Sequence, residues 1–399
     1  MRDIKLAGIV QGQEEIDAVN RVLHSDWHVS GPECEALQKE IAEKIGVKYC
    51  VVVNSGSAAN LLALQALNLP KGAKVLTSAC GFPATLNPIL HLGHTPVFVD
   101  YLLKTLQADI LQVEELIDGF GVFSNNTSQI QAVLLAHTLG SSLNMFRLKA
   151  VCDQYDIPII EDCCEAMGTK YEGQYVGSIG KVGTFSFYSS HQISGLGGGG
   201  AVVTNDQNIY EQCKSLRDWG KQNVREGYIC TKMDTKVGDI PYDQQYTYDT
   251  VGYNMRMPDA NCAYAREQLK RLDNFATKRR DNYNLLQTLL QVEDLPLHYM
   301  DIDKCIEPAS FGFPVVLKEP GLRDKMVEYL ESKGIHVRLF FAGNILRHKP
   351  YVGIGDCNNY PIADYLMNNA FFCGCWPGLD RNDMCYIAHY ISEFFWENS

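Results

Sequence analysis

The chain has 399 residues, 46% hydrophobic and 21% charged, which is enough for one large and one smaller domain around a well-buried core. A formal net charge of −12 argues against a nucleic-acid-binding surface. No apolar stretch approaches the roughly 18–20 residues that span a bilayer. The opening MRDIKLAGIVQGQEE lacks the apolar run and small-residue cleavage site of a signal peptide, so the expected setting is the cytoplasm. The 14 cysteines are scattered, with no pair of CxxC motifs at zinc-site spacing, and read as buried thiols in a reducing compartment; no metal site is expected.

In chain order, apolar spacing predicts helices over Gln13–Ser25 and Pro32–Gly46, joined by a turn at Ser30-Gly31-Pro32. Strands are predicted at Tyr49–Val53, Lys74–Thr77, Pro96–Asp100, Val133–Ala136 and Ile157–Ile160. Helices at Gly56–Leu67, Pro83–Leu92 and around Leu148–Tyr155 alternate with them. That alternation implies an α/β fold, with a largely parallel sheet covered on both faces. Two more strands, Thr184–Tyr188 and Ala201–Thr204, flank a polar turn ending in His191 and a glycine run. Gly220–Asp249 is polar and tyrosine-rich and reads as a long loop or insertion. One or two helices over Pro258–Leu290 lead to a second α/β piece. It comprises a strand Ser310–Leu317, a helix Leu322–Lys333, a strand Ile335–Leu339 and closing helices Ile362–Asn369 and Asn382–Phe395. The expected division is a large domain over 1–280 and a small one over 281–399.

Asn54-Ser55-Gly56-Ser57-Ala58-Ala59 lies where a strand hands over to a helix, and free N–H groups with the helix dipole suit a phosphate group there. Alone, it is also an ordinary N-cap turn. Asp162 follows an apolar strand and points into the usual ligand crevice of parallel sheets, although a helix-capping acid would look the same. Ser186 is either a phosphate contact or a small buried polar residue. Gly195-x-Gly197-x-x-Gly200 is followed by a strand, not a helix, which rules out a dinucleotide fingerprint. These glycines instead let backbone pass close to a cofactor or a neighbouring strand.

Taken together, several segments resemble the DegT/StrS family of fold-type I pyridoxal-phosphate sugar aminotransferases. They are Asn54–Ala59, Gly81-Phe82-Pro83-Ala84-Thr85, Pro96–Asp100, Glu161–Gly168, Ser186–Thr204 and Gly252-Tyr253-Asn254-Met255-Arg256 with Ala260–Leu272. In that family a lysine stands where this chain has His191. Histidine there marks the branch of nucleotide-4-keto-6-deoxyhexose 3-dehydratases. The resemblance implies pyridoxamine or pyridoxal 5'-phosphate as cofactor. It implies that Gly56, Ser57 and Ser186 hold the cofactor phosphate, that Phe82 stacks on the ring, and that Asp162 pairs with the ring nitrogen. Glu165 would lie near the ring hydroxyl. Asn254 would reach the cofactor phosphate of a neighbouring subunit, which implies a homodimer. Asp26, Trp27, His28, Arg256 and Arg338 fall where the family contacts nucleotide sugar.

An imidazole cannot store the cofactor covalently as lysine does. With an ordinary pKa near 6.5, His191 suits the role of base in C3 dehydration of a nucleotide-linked 4-keto-6-deoxyhexose. CDP-type members of the branch carry a [2Fe–2S] cluster and use a reductase. Cys164 matches one ligand, but the expected cysteine pair falls at Asn223 and Arg225, with only Cys230 nearby, short of four thiolates. Glu165 beside Cys164 instead resembles the cluster-free members of the branch, which implies that the amine is reloaded from glutamate. The competing readings are a cluster- and reductase-coupled dehydratase, a true aminotransferase and a non-catalytic binder. An aminotransferase would need a lysine that Lys181, ahead of the strand, does not supply.

Overall fold

From Tyr49 onward, the alternation of apolar strands with helices builds a layered sheet in the computed structural model, which describes residues 2–121, 129–222, 224, 233 and 235–398. Among these residues, seven strands form one sheet. They are β1 (Tyr49–Val53), β2 (Lys74–Ser78), β3 (Thr95–Val99), β4 (Ile130–Ala136), β5 (Ile159–Asp162), β6 (Val182–Ser186) and β7 (Gly200–Thr204), in the order β1-β7-β6-β5-β4-β2-β3. β7 runs antiparallel to both β1 and β6, and the other pairings are parallel. Strands such as YCVVV and VGTFS are almost wholly buried, as expected of a sheet covered on both faces.

The early helices are α1 (Gln13–Leu23), α2 (Pro32–Ile45), α3 (Gly56–Ala66), α4 (Pro83–His91), α5 (Ile110–Gly121), α6 (Met145–Gln154) and α7 (Gln207–Arg217). α3 is apolar on nearly every side because it packs against α4, α7 and the sheet at once. The stretch expected to hold one or two helices forms α8 (Asp259–Lys270) and α9 (Leu272–Val292). Residue 280, where we place the limit of the large domain, lies within α9.

Beyond it, β8 (Leu297–His298), β9 (Gly312–Leu317), β10 (Val337–Leu339) and β11 (Ala370–Gly374) form an antiparallel sheet in the order β8-β9-β11-β10. Helices α10 (Arg323–Ser332), α11 (Pro361–Asn369) and α12 (Arg381–Glu397) pack around it, with α12 against α9.

Several expectations shift. β5 begins two residues late, because the N–H of Ile157 closes the preceding turn on the Cys152 carbonyl at 2.9 Å, and Asp162 is thereby the last residue of the strand. β6 ends at Ser186, so Tyr188 lies beyond it, its N–H donating to Ser186 Oγ at 3.3 Å. The Gly220–Asp249 stretch is not plain loop: its described part contains a hairpin of Thr235–Val237 and Ile240–Tyr242. α5, α7 and β11 were not anticipated. α7 carries a legible signal, since the Asp206 side chain caps the N–H groups of Asn208 and Ile209. β11 follows α11 with no turn residue to mark the change.

The glycine run acts on neighbouring backbone, since a Cβ on Gly200 would lie 2.6 Å from the carbonyl of Ser55 and 2.7 Å from that of Phe185. Gly140 carries a comparable constraint between the two sheets. Its φ is +76°, and a Cβ there would lie 2.3 Å from the carbonyl oxygen of Ala309. Gly140→Ala should therefore destabilise the fold by about 2 kcal/mol or more, read as a lower midpoint in urea or thermal unfolding. An unchanged midpoint would contradict this packing.

Candidate active site

The C-terminal end of β5 and the turn after it, Glu161 to Glu165, hold most of the candidate residues. Successive side chains of a strand point to opposite faces, so Glu161 and Asp162 diverge. Glu161 is anchored: its carboxylate accepts from the backbone N–H groups of Gly177 (2.8 Å), Ile179 (2.9 Å) and Gly180 (2.6 Å). His137 Nδ1 accepts from the N–H of Leu143, so the ring proton sits on Nε2 and is donated to Glu161 at 3.0 Å. Glu161, His137 and the Cys163 thiol lie within metal-binding distance of one another, but the carboxylate oxygens already serve four donors, and the group is a hydrogen-bonded anchor.

Asp162 is 4% exposed. Its Oδ2 accepts from Asn60 Nδ2 and Thr85 Oγ1, each at 2.7 Å, and its Oδ1 from the N–H of Cys164 at 3.1 Å. Thr184, opposite Asp162 in the β5–β6 register, donates to Asn60 Oδ1 at 2.5 Å and so orients that amide. Among the described residues Oδ1 takes one donor, which leaves capacity for another. Asn60 and Thr184 were missed in the sequence. The signal for Asn60 was present, as one amide inside the apolar run of α3.

Ser55 caps α3 by accepting from the N–H of Ala58 at 3.1 Å, which leaves Gly56 as the first helical residue and the exposed Ser57 as the second. A Cβ on Gly56 would lie 2.7 Å from both Ser186 Cβ and Cys164 Sγ. The phosphate turn, the end of β6 and the turn after β5 therefore meet at one point. Phe82 caps α4 and is 57% exposed, its ring free to cover a ligand.

His191 follows in the turn after β6. Its Nδ1 faces the carbonyl oxygen of Cys164, which can only accept, so Nδ1 carries the proton and Nε2 keeps the lone pair. Burial, with Arg279 adding, pushes the imidazole down to about 4, although the Cys164 carbonyl and Asp162 pull the other way. This corrects the expectation of an ordinary histidine near 6.5. The next side chain, Gln192, donates to the carbonyls of Glu165 and Ala309, the latter at 2.8 Å. Glu165 accepts the N–H of Leu139 at 2.9 Å. Burial, with Asp162 adding, lifts its carboxyl to about 8, so it is protonated at neutral pH. The Cys164 thiol is pushed well above its ordinary value by burial. Lys181 lies at the opposite end of β6 from His191, paired with Asp206 at 2.7 Å.

The remaining candidates lie on other elements. Asp26, Trp27 and His28 are on the α1–α2 connection, where the His28 carbonyl accepts from the N–H of Asp259 at 2.9 Å. Arg338 is exposed on β10, and the chain just after it bonds to Gly81, beside Phe82, through the N–H of Ala342 at 3.1 Å. The exposed Asn254 is bridged through its backbone to the buried Asp218. Arg256 pairs with that same Asp218 and stacks 4.8 Å over Trp219. Trp219, Lys221, Tyr246, Tyr248 and Arg256 line a cavity of about 560 Å³. Asn223, Arg225 and Cys230 lie outside the described residues. A second cavity, about 670 Å³, lies away from these candidates among Asp100, His298, Tyr299 and Pro361.

The DegT/DnrJ/EryC1/StrS aminotransferase family model matches residues 10–392, and the chain belongs to that family. It is 35% identical to a lipopolysaccharide biosynthesis protein, RfbH, of Salmonella typhimurium, over 98% of this chain and 91% of that one. It is 30% identical to a GDP-4-keto-6-deoxy-D-mannose 3-dehydratase of Yersinia pseudotuberculosis, over 94% of each. A solved GDP-4-keto-6-deoxymannose-3-dehydratase with a trapped PLP–glutamate geminal diamine superposes with a TM-score of 0.85 and 28% identity, covering 97% of this chain and 99% of that one. The chain is thus a pyridoxal-phosphate-dependent, sugar-modifying enzyme of this family, resembling its dehydratase branch. No helix among the described residues is long and apolar enough to cross a membrane.

The residues fit the cofactor: an oriented carboxylate with spare capacity lies near a glycine-opened helix N-terminus, and the exposed Phe82 heads the helix whose Thr85 bonds that carboxylate. Asp162→Asn preserves volume but puts an amide where the donors of Asn60, Thr85 and Cys164 need acceptors. It should weaken pyridoxamine phosphate binding by about tenfold or more, measured by equilibrium dialysis, since hydrogen bonds to a charged group contribute about 1.5–3 kcal/mol. Wild-type affinity would count against the assigned role.

Proposed function

We propose that this enzyme removes the C3 hydroxyl of a nucleotide-linked 4-keto-6-deoxyhexose, with His191 as the base and with pyridoxamine phosphate held by non-covalent contacts alone. One observation carries the reading. At the lysine position stands a neutral imidazole with its tautomer fixed by the Cys164 carbonyl, and the nearby Lys181 is tied to Asp206 at the wrong end of the strand. When bound, the cofactor supplies an electron sink at the sugar C4.

The protein does the rest. Gly56, Ser57 and Ser186 hold the phosphate, Phe82 covers the ring, and Asp162 keeps the ring nitrogen protonated. Nε2 of His191 is free to accept a proton and to return one to the departing hydroxyl. Glu165 presents a neutral acid beside the ring hydroxyl. Asn254 reaches the cofactor phosphate of a second copy, making the enzyme a homodimer. The two cations and three aromatic rings around Arg256 suit a diphosphate and a nucleobase, while Asp26, Trp27, His28 and Arg338 complete the sugar-nucleotide contacts. Glutamate reloads the amine in the cytoplasm, a reading supported by the solved dehydratase that carries glutamate on its cofactor. The cluster-dependent alternative needs a cysteine pair where the sequence has Asn223 and Arg225.

His191→Asn should abolish formation of the 3-deoxy sugar while leaving pyridoxamine phosphate affinity within about threefold, because Asn lacks a titratable lone pair. Assays with CDP-, GDP- and dTDP-linked 4-keto-6-deoxyhexoses, with and without glutamate, identify the product. Release of an amino sugar instead would sink the dehydratase reading.

The pH profile gives a second check. An imidazole held near 4 becomes protonated, and loses its base function, only as pH falls through that value. A carboxyl near 8 loses its proton as pH rises through it. The dehydration rate should therefore stay level from about pH 5 to 7.5 and fall above that. Glu165→Gln, a neutral isostere, should retain activity and remove the alkaline fall. An acid limb near 6.5 would contradict the depressed imidazole.

A further inference from the structure

Arg279, on α9, is 1% exposed, and no carboxylate pairs with it among the described residues. Its Nη2 donates to the His191 carbonyl at 3.0 Å, and its Nη1 to the carbonyls of Ser310 and Phe311 at 3.2 and 3.3 Å. The Phe311 ring in turn packs against the imidazole, with centroids 5.3 Å apart. One guanidinium thus joins three segments: the turn that carries His191, the segment entering β9, and α9 itself. The arrangement is costly, because a buried cation without a counter-charge carries a full desolvation penalty. Arg279 Nε, Ser194 Oγ and Gln192 Oε1 are also buried without a protein hydrogen-bond partner around a cavity of about 10 Å³. If a tie between carbonyls were all that was needed, a neutral donor would do it at lower cost.

We propose that Arg279 is a positioning residue for His191, its guanidinium fixing the place of the imidazole through the His191 and Phe311 carbonyls and its charge opposing a second positive charge on the ring. This rests on His191 being the base. The charge effect has a direction. Burial already disfavours the imidazolium, and Arg279 disfavours it further, whereas the Cys164 carbonyl and Asp162, both at the end of β5, favour it. Glu165, from the same turn, is protonated at neutral pH and adds no charge there. Removing the guanidinium leaves Asp162 opposed by burial alone and raises the proton affinity of His191. A lysine at 279 keeps the charge but cannot span three carbonyls with a fixed fork.

The test separates charge, read by titration, from span, read by turnover. In protein labelled at histidine Cε1, with His191→Asn used to assign the signal, the wild-type His191 resonance should titrate well below 6.5. In Arg279→Gln the midpoint should rise by about one unit, as expected for loss of one neighbouring charge. In Arg279→Lys it should stay low, while kcat falls about tenfold or more at nearly unchanged KM, as expected for a misplaced base. The same midpoint in Arg279→Gln as in the wild type overturns the charge role. Wild-type kcat in Arg279→Lys overturns the positioning role; should Arg279→Gln not fold, the neutral Arg279→Met takes its place in the titration. If the enzyme proves not to be a dehydratase, the titration still reports on Arg279, so the two readings fail separately.

Discussion

The Glu161 carboxylate is the constraint on which the site depends. Three backbone N–H groups and the His137 ring hold it on one face of β5, which fixes the end of the strand. On the opposite face, the next residue is Asp162. The turn that follows offers the Cys164 carbonyl to His191 and places the Glu165 carboxyl beside Leu139. A strand end that frayed would release Asp162, the His191 tautomer and the Glu165 carboxyl together. A buried carboxylate with four donors is expensive to desolvate but costlier still to leave unpaired, and so it resists local opening.

The two titratable groups on the functional side are pushed in opposite directions by the same burial. His191 is driven towards its neutral form and so is Glu165, one as a base without its proton and the other as an acid that keeps it. Such a pair lets both roles coexist at neutral pH without either group being charged in a dry site. The low proton affinity of His191 makes it a weaker base than an ordinary histidine. In the proposed dehydration its contribution rests on placement, through the carbonyl ties to Cys164 and Arg279.

Much of this was legible in the sequence, because it lies in local order. The strand-to-turn-to-helix passage at Asn54–Ala59, the acid at the end of an apolar strand and the histidine ahead of the glycine run are each contained in about a dozen residues. The structure brings Gly56, Ser186, Cys164, Asp162 and His191 together around one space. What escaped the sequence is long-range. Asn60 reaches Asp162 across 102 positions, and Arg279 reaches His191 across 88. Neither pairing leaves a local pattern, although each is a polar residue within a helix that buries much of its surface. The depressed imidazole was equally invisible, since burial and the Arg279 charge arise only when α9 closes over the turn. β11 was lost for a different reason: five apolar residues directly after a helix give no change of period to read.

Arg256 and Asn254 belong to a second centre, built on another buried acid. Asp218 is fully buried and accepts two bonds from Arg217, at 3.0 and 2.8 Å, and the charge of Arg256 as well. Arg217 is also tied to Gln38 and to the Val52 carbonyl, so this acid is locked to β1 and α2 in the same way that Glu161 is locked to its loop. The backbone N–H of Asn54, next to the phosphate turn, donates to the Met255 carbonyl between Asn254 and Arg256 at 2.9 Å. The two centres are therefore joined by backbone: the strand that leads into the phosphate turn also holds the segment that presents Arg256 to its cavity. A displacement of Met255 would strain the bond that holds Asn54, at the head of the α3 turn.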